Sequence, residues 1–170
     1  MDEGTRTVVD IHRHSAWANG QILNAAEQLS PEQLRTPLGE GSFGDFLATL
    51  VHTFDAQQSW FERATKGRSG PALDLESFSQ IADLREVWEA LDAEMETYLS
   101  GLNERALIEQ VPYRSHYGSE GVYSRRDMML HQAVHAHQHR AELALTLSKL
   151  GHSPGELDFL DYIEFAASGK

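Results

Sequence analysis

Four histidines fall within nine residues in the stretch HQAVHAHQHR, positions 131 to 140. His131, His135 and His139 recur every four residues, a spacing that on a helix brings them near one face, whereas His137 points elsewhere. Neutral imidazole nitrogens ligate divalent metals, and two histidines one turn apart can chelate one ion if a third ligand arrives from elsewhere in the chain. The competing reading of such a stretch is a solvated, histidine-rich helix surface. The chain has no cysteine, which excludes disulfides, thiolate-ligated zinc and a thiol nucleophile of its own. Any metal must therefore rest on His, Asp or Glu.

The cluster needs a helix to carry it, and the flanking residues supply one. Ser124 and Asp127 form a capping pair, Met129, Ala133, Ala136, Leu143, Leu147 and Leu150 make an apolar stripe, and Gly151 with Pro154 beyond it marks the stop. A partner for the cluster is sought on the other helices. One is expected over roughly 7–29, where Ile11, Ala18, Ile22, Ala25, Ala26 and Leu29 fall at helical spacing and Ser30-Pro31 ends the run. His12 and His14 on it are two positions apart, cannot share an ion, and read as surface or rim residues. After a turn-rich connection with Pro37, Gly39 and Gly41, a second helix is expected from Ser42, capped with Asp45. Its apolar face reads as Phe43, Phe46, Leu47, Leu50, Phe54 and Phe61. His52 falls beside that face, on a strip with Ala48, Ala56 and Ser59 that leaves room next to an imidazole. Taken alone it is an ordinary half-buried histidine; the cluster at 131–139 makes it a candidate ligand.

The remaining segments are positional. A loop is expected over 66–75 with Gly67, Gly70, Pro71 and Leu75. A third helix is expected from Ser77 with Gln80, carrying Ile81, Leu84, Trp88, Leu91, Met95 and Leu99 and stopping at Gly101. Its acids, Asp83, Glu86, Glu89, Asp92, Glu94 and Glu96, read as a solvated outer face. Over 107–123 the period shortens and Gly and Ser accumulate, which predicts a hairpin-like excursion with Pro112 on an edge and an exposed His116 at the tip. An apolar short helix over 155–167 must pack on the bundle or on another subunit.

Length and composition fit one domain with a real core: 170 residues, 41% hydrophobic and 24% charged. The net charge of −12, with no basic block, argues against a nucleic-acid partner and against an anionic membrane surface. No signal-peptide pattern or bilayer-length apolar run is seen, so a cytoplasmic location is expected.

Four long amphipathic helices predict an all-α fold, a four-helix bundle with ligand sites between facing helices. Over nearly its whole length the chain resembles the DinB/YfiT-like family of metal-binding four-helix bundles. The resemblance is carried by HSAWANGQIL in the first helix, SPEQLRTPLGEGSFGDFLATLVH into the second, and LHQAVHAHQHRAELALTLSKLGHSPGELDF over the last. It implies an up-and-down bundle forming one domain over 1–170, and a metal held by His52 with the two histidines of an HxxxHR motif, His135 and His139. The family motif usually continues HRGQ, where this chain has Ala141 and Glu142, and Val134 replaces a common asparagine. Glu142 can hydrogen-bond a ligand imidazole, and His131 is placed at the site rim. These two are the candidate catalytic residues.

Three neutral histidines leave a coordination position open, the arrangement of a catalytic site in which bound water or thiol is acidified. Zinc suits such a set, with nickel, iron and manganese as alternatives. The resemblance implies first a transferase that activates a low-molecular-weight thiol of the bacillithiol or mycothiol type for attack on an electrophile. Second comes a hydrolase using water, and third a non-catalytic metal- or ligand-binding bundle of stress response. It also implies a small-molecule substrate and a homodimer.

Overall fold

The computed structural model describes residues 1–40, 42–74, 77–78 and 80–169. The loop positions Gly41 and Leu75 lie outside the described residues. Helix α1 spans Glu3–Ala26, α2 Phe46–Lys66, α3 Ile81–Ser100, α4 Glu104–Ile108, α5 Arg125–Lys149 and α6 Phe159–Ala167; strands β1 (Gln110–Arg114) and β2 (Glu120–Ser124) precede α5. The expected four-helix bundle is built from α1, α2, α3 and α5, with the expected hairpin and terminal helix.

Capping side chains set the helix starts. Ser124 accepts the Asp127 N–H at 3.1 Å, as the sequence predicts. Asp45, expected to answer a cap at Ser42, is itself the cap of α2 and accepts the Ala48 N–H at 2.8 Å. Phe43 therefore lies in the preceding loop, exposed, and not on the apolar face of α2. For the same reason α3 starts later than Ser77: Gln80 is its cap, and the Asp83 carboxylate accepts the Gln80 N–H at 3.3 Å. Helix α1 starts earlier than expected because Asp2 caps it, accepting the Thr5 N–H at 2.8 Å.

Contacts between helices fix their directions. His52 meets His139, and Arg125 reaches the Ala64 carbonyl, so α2 and α5 run antiparallel. Ser15 and Asn19 meet Arg140 while His14 lines a cavity with Leu130, so α1 and α5 run parallel. Arg13 pairs with Glu96 and Arg85 with Glu27, which makes α1 and α3 antiparallel. Phe54 packs on Trp88 and Phe61 on Tyr98, so α2 and α3 are parallel, joined by the long connection after Gly67. Two helices thus run each way around a core of Ile22, Phe46, Leu50, Leu84, Trp88, Leu143 and Leu147, each almost fully buried.

The hairpin pairs antiparallel with Val111 opposite Tyr123 and is tied to the end of α2. Arg114 N–H donates to the Gly67 carbonyl at 3.0 Å. Gly67 is required there twice over: its φ is +71°, and a Cβ would sit 3.0 Å from the Pro112 carbonyl. This junction sets the hairpin beside the groove between α2 and α5. His116 at the tip is half-buried, contrary to its expected exposure, because its backbone N–H donates to Ser69 Oγ at 3.1 Å and its Nδ1 lies 3.2 Å from the same oxygen.

Candidate metal centre

Facing turns of α2 and α5 bring His52, His135 and His139 together. Their ring centroids are 5.4 Å (52–135), 4.9 Å (52–139) and 4.6 Å (135–139) apart, with planes 76° to 86° from one another. One ligand atom from each lies within 4.8 Å of the others, and among the described residues this is the group of three that could hold a metal ion.

The charge state suits ligation. Burial, and then the neighbouring His139, lowers the His52 pKa. Burial, with His139, His52 and His131 around it, lowers that of His135 to about 4. Both rings are therefore neutral near pH 7 and present a lone pair. Glu142 Oε2 lies 3.2 Å from His139 Nδ1. A carboxylate can only accept, so Nδ1 carries the proton and Nε2 is left free for a metal. His139 is buried; His52 and His135 are half-buried, so the triad opens to one side.

Two aromatic residues frame the triad. Phe43 stacks on His52 at 3.8 Å and 11°, holding that ring from the loop before α2. His131, exposed one turn before His135, lies nearly parallel to it at 6.0 Å and meets Trp60 edge-to-face at 4.5 Å. It thus lies between His135 and Trp60. His137 points away and lines a different cavity.

Arg140 turns into the core. Its Nη1 donates to Asn19 Oδ1 at 3.0 Å and its Nη2 to Ser15 Oγ at 3.2 Å. Asn19 Nδ2 donates to Gln57 Oε1 at 3.0 Å, Trp88 Nε1 reaches the same oxygen at 3.2 Å, and Gln57 Nε2 donates to Asp92 Oδ1 at 2.7 Å. This chain ties α5, next to His139, to all three other helices. Burial lowers the Arg140 pKa to about 10 and raises that of Asp92 to about 6. Asp92 is thus no part of a solvated outer face, because Gln57 draws it inward. His12 and His14 are also buried, contrary to their expected surface position. Desolvation lowers the His12 pKa to about 4, only partly opposed by the Met129 backbone, and His14 Nε2 donates to the Leu157 carbonyl at 2.8 Å.

A model of the DinB family matches residues 2–170. The chain belongs to the DinB family. In three dimensions this DinB-family chain is similar to a solved structure described as "YfiT from Bacillus subtilis is a probable metal-dependent hydrolase with an unusual four-helix bundle topology". The TM-score is 0.61 at 13% identity, over 90% of this chain and 91% of that one. The search of curated sequences gives no match. The WAN asparagine and the HR arginine, 121 residues apart, hydrogen-bond each other and so tie α5 to α1. The roles of Phe43, Gln57 and Asp92 were not read from the sequence. The stripe Val8, His12, Ser15, Asn19, Ile22, Ala26 repeats at four and three with every member buried, and that spacing is a signal that apolar counting alone passes over.

Proposed function

We propose that this protein is a hydrolase of small molecules that works with a divalent metal held by His52, His135 and His139. The observation that carries the reading is the triad itself: three converging imidazoles, two of them held neutral by burial, on a face left partly open. The description of YfiT as a probable metal-dependent hydrolase supports it. A divalent ion in that set supplies Lewis-acid polarisation of a carbonyl and a water nucleophile at neutral pH. Glu142 fixes the His139 ring by accepting from Nδ1. Phe43 shields the open face of His52 from water. His131, exposed beside His135, is the residue that would accept a proton from a water held by such an ion. Zinc is the ion this nitrogen set suits best, with nickel, iron and manganese the alternatives that elemental analysis separates.

The test is turnover of a panel of esters, amides and lactones by metal-loaded protein, with and without added bacterial thiol. Product release that needs water alone, and disappears in His135→Ala, is the expected result. Turnover only when thiol is present transfers the site to the thiol-transferase reading, which the comparisons support less than the hydrolytic one. Tight metal retention with no turnover in either arm leaves the non-catalytic binding bundle.

A homodimer and a cytoplasmic setting belong to the same proposal. A cavity of about 600 Å³ on the far side of α5, lined by Ile11, Leu130, Val134, Leu157 and Phe159, holds none of the three ligands. Val134, Leu145, Leu160 and Ile163 are exposed on α5 and α6, and a second copy is the proposed cover for this face.

A further inference from the structure

Beside the triad, on the other side of His131, lies a second cavity of about 290 Å³, lined by Trp60, Tyr113, Tyr123, Asp127, Met128 and His131. We propose that this cavity is the substrate subsite of the metal centre and takes an uncharged aromatic ring, such as the aryl or arylalkyl arm of an ester or amide. The assignment rests on the hydrolytic reading only for what lies at the inner end of the ligand. Recognition of the ring rests on the cavity alone.

Its walls are π-systems placed relative to one another. Tyr113 stacks on Tyr123 at 6.0 Å and 23°, Trp60 meets Tyr113 at 5.8 Å, and Trp60 meets His131 edge-to-face at 4.5 Å. Rings at these separations offer both faces and edges to a guest ring. The hairpin sequence makes this possible at one position: a Cβ on Gly121 would fall 2.9 Å from a Tyr113 ring carbon and 3.2 Å from one of Tyr123. Any other residue there displaces both tyrosines. The volume suits a single ring or a small bicycle.

Charge selects among flat ligands. The Arg63 guanidinium lies 4.5 Å from the Trp60 ring centre and 5.4 Å from that of Tyr113. It already uses the attraction of those two rings for a cation and repels a second one. At the mouth, Asp127 carries a carboxylate that Ser124 hydrogen-bonds and Arg126 meets at 3.3 Å, its side chain about half exposed. It repels an anion. A neutral ring meets neither penalty. His131 then leads inward, since its ring lies 6.0 Å from that of His135. A guest ring in the cavity therefore needs an arm long enough to pass His131 before its far end meets the ligand set.

The test is calorimetric binding of four probes of similar size, benzamide, cyclohexanecarboxamide, benzoate and benzylammonium, to the full chain. It is run with metal, after chelation, and in His135→Ala. Benzamide is expected to bind about fivefold tighter than its cyclohexyl counterpart, the ratio that one aromatic contact of about 1 kcal/mol gives, and tighter than either ion. Gly121→Val, with its fold checked by circular dichroism, is expected to abolish the preference, and Trp60→Leu to reduce it. Equal binding of benzamide and the cyclohexyl probe, or a preference for either ion, overturns the subsite. Benzamide selectivity that persists in His135→Ala while no variant or wild type holds metal keeps the subsite and refutes the metal centre. Stoichiometric metal without ring selectivity does the reverse.

Discussion

Glu142 touches the candidate metal centre through a hydrogen bond with His139 Nδ1, so its replacement is expected to weaken metal binding without unfolding the chain. Glu142→Ala is expected to lower metal affinity about 10- to 100-fold. Glu142→Gln, which keeps an accepting oxygen and restores the residue usual in the family motif, should lose much less. Competition with a fluorescent chelator measures both, and equal losses would show that charge and not ring orientation is what Glu142 supplies. A second residue-scale prediction concerns Asp92, whose pKa burial raises to about 6. The folded state then holds this proton more tightly than the unfolded chain does. Its contribution to stability is complete below the unfolded value near 3.8 and is lost as pH rises through 6. Asp92→Asn removes this dependence, so the variant should gain on wild type by about 2–3 kcal/mol between pH 4 and pH 7 in denaturant melts. A constant difference across that range would contradict the assignment. That His52, His135 and His139 come together was legible through the HxxxHR resemblance, since the four-residue spacing alone gave His131, His135 and His139 equal claims and left a solvated surface open. Asp92 was not legible, since only the fold shows that Gln57 reaches it.

At the scale of elements, the groove between α2 and α5 is kept in shape by two ties, the Arg140 chain on the core side and the hairpin junction at Gly67 on the other. Asn19→Ala leaves the Nη1 donor of Arg140 and the Gln57 oxygen short of a partner, and should cost about 1–3 kcal/mol in thermal or urea unfolding. Gly67→Ala combines a left-handed φ with a close approach to the Pro112 carbonyl. It is expected to cost about 1–3 kcal/mol, to loosen the hairpin, and to leave metal content unchanged because His52, His135 and His139 lie on the helices. Loss of metal in this variant would mean that the hairpin helps to build the centre. Long elements were readable from apolar periodicity and from Ser124, Pro31 and Gly151. Helix starts at Asp45 and Gln80 were misplaced by three or four residues, because Ser42 and Ser77 offer the same local chemistry and only tertiary packing chooses between them. Helix α4 was missed because five residues show no period.

For the whole molecule, the acidic surface and the two separate cavities suggest a division of faces, with the triad on one side of α5 and an apolar groove on the other. If a second copy covers that groove, light scattering at micromolar concentration gives twice the chain mass, and Leu160→Glu with Val134→Glu shifts it to one. A single-chain mass for the unaltered protein would remove the dimer from the account. Among the described residues no helix is long and apolar enough to cross a membrane. The assembled picture depends on the ion, and the measurement that bears on it most directly is elemental analysis of protein purified without chelator, alongside His52→Ala, His135→Ala and His139→Ala. About one divalent ion per chain in the wild type, and a loss of most of it in each variant that still folds, is the predicted result. Stoichiometric metal in all three variants, or none in the wild type after incubation with zinc, nickel, iron or manganese, would contradict it.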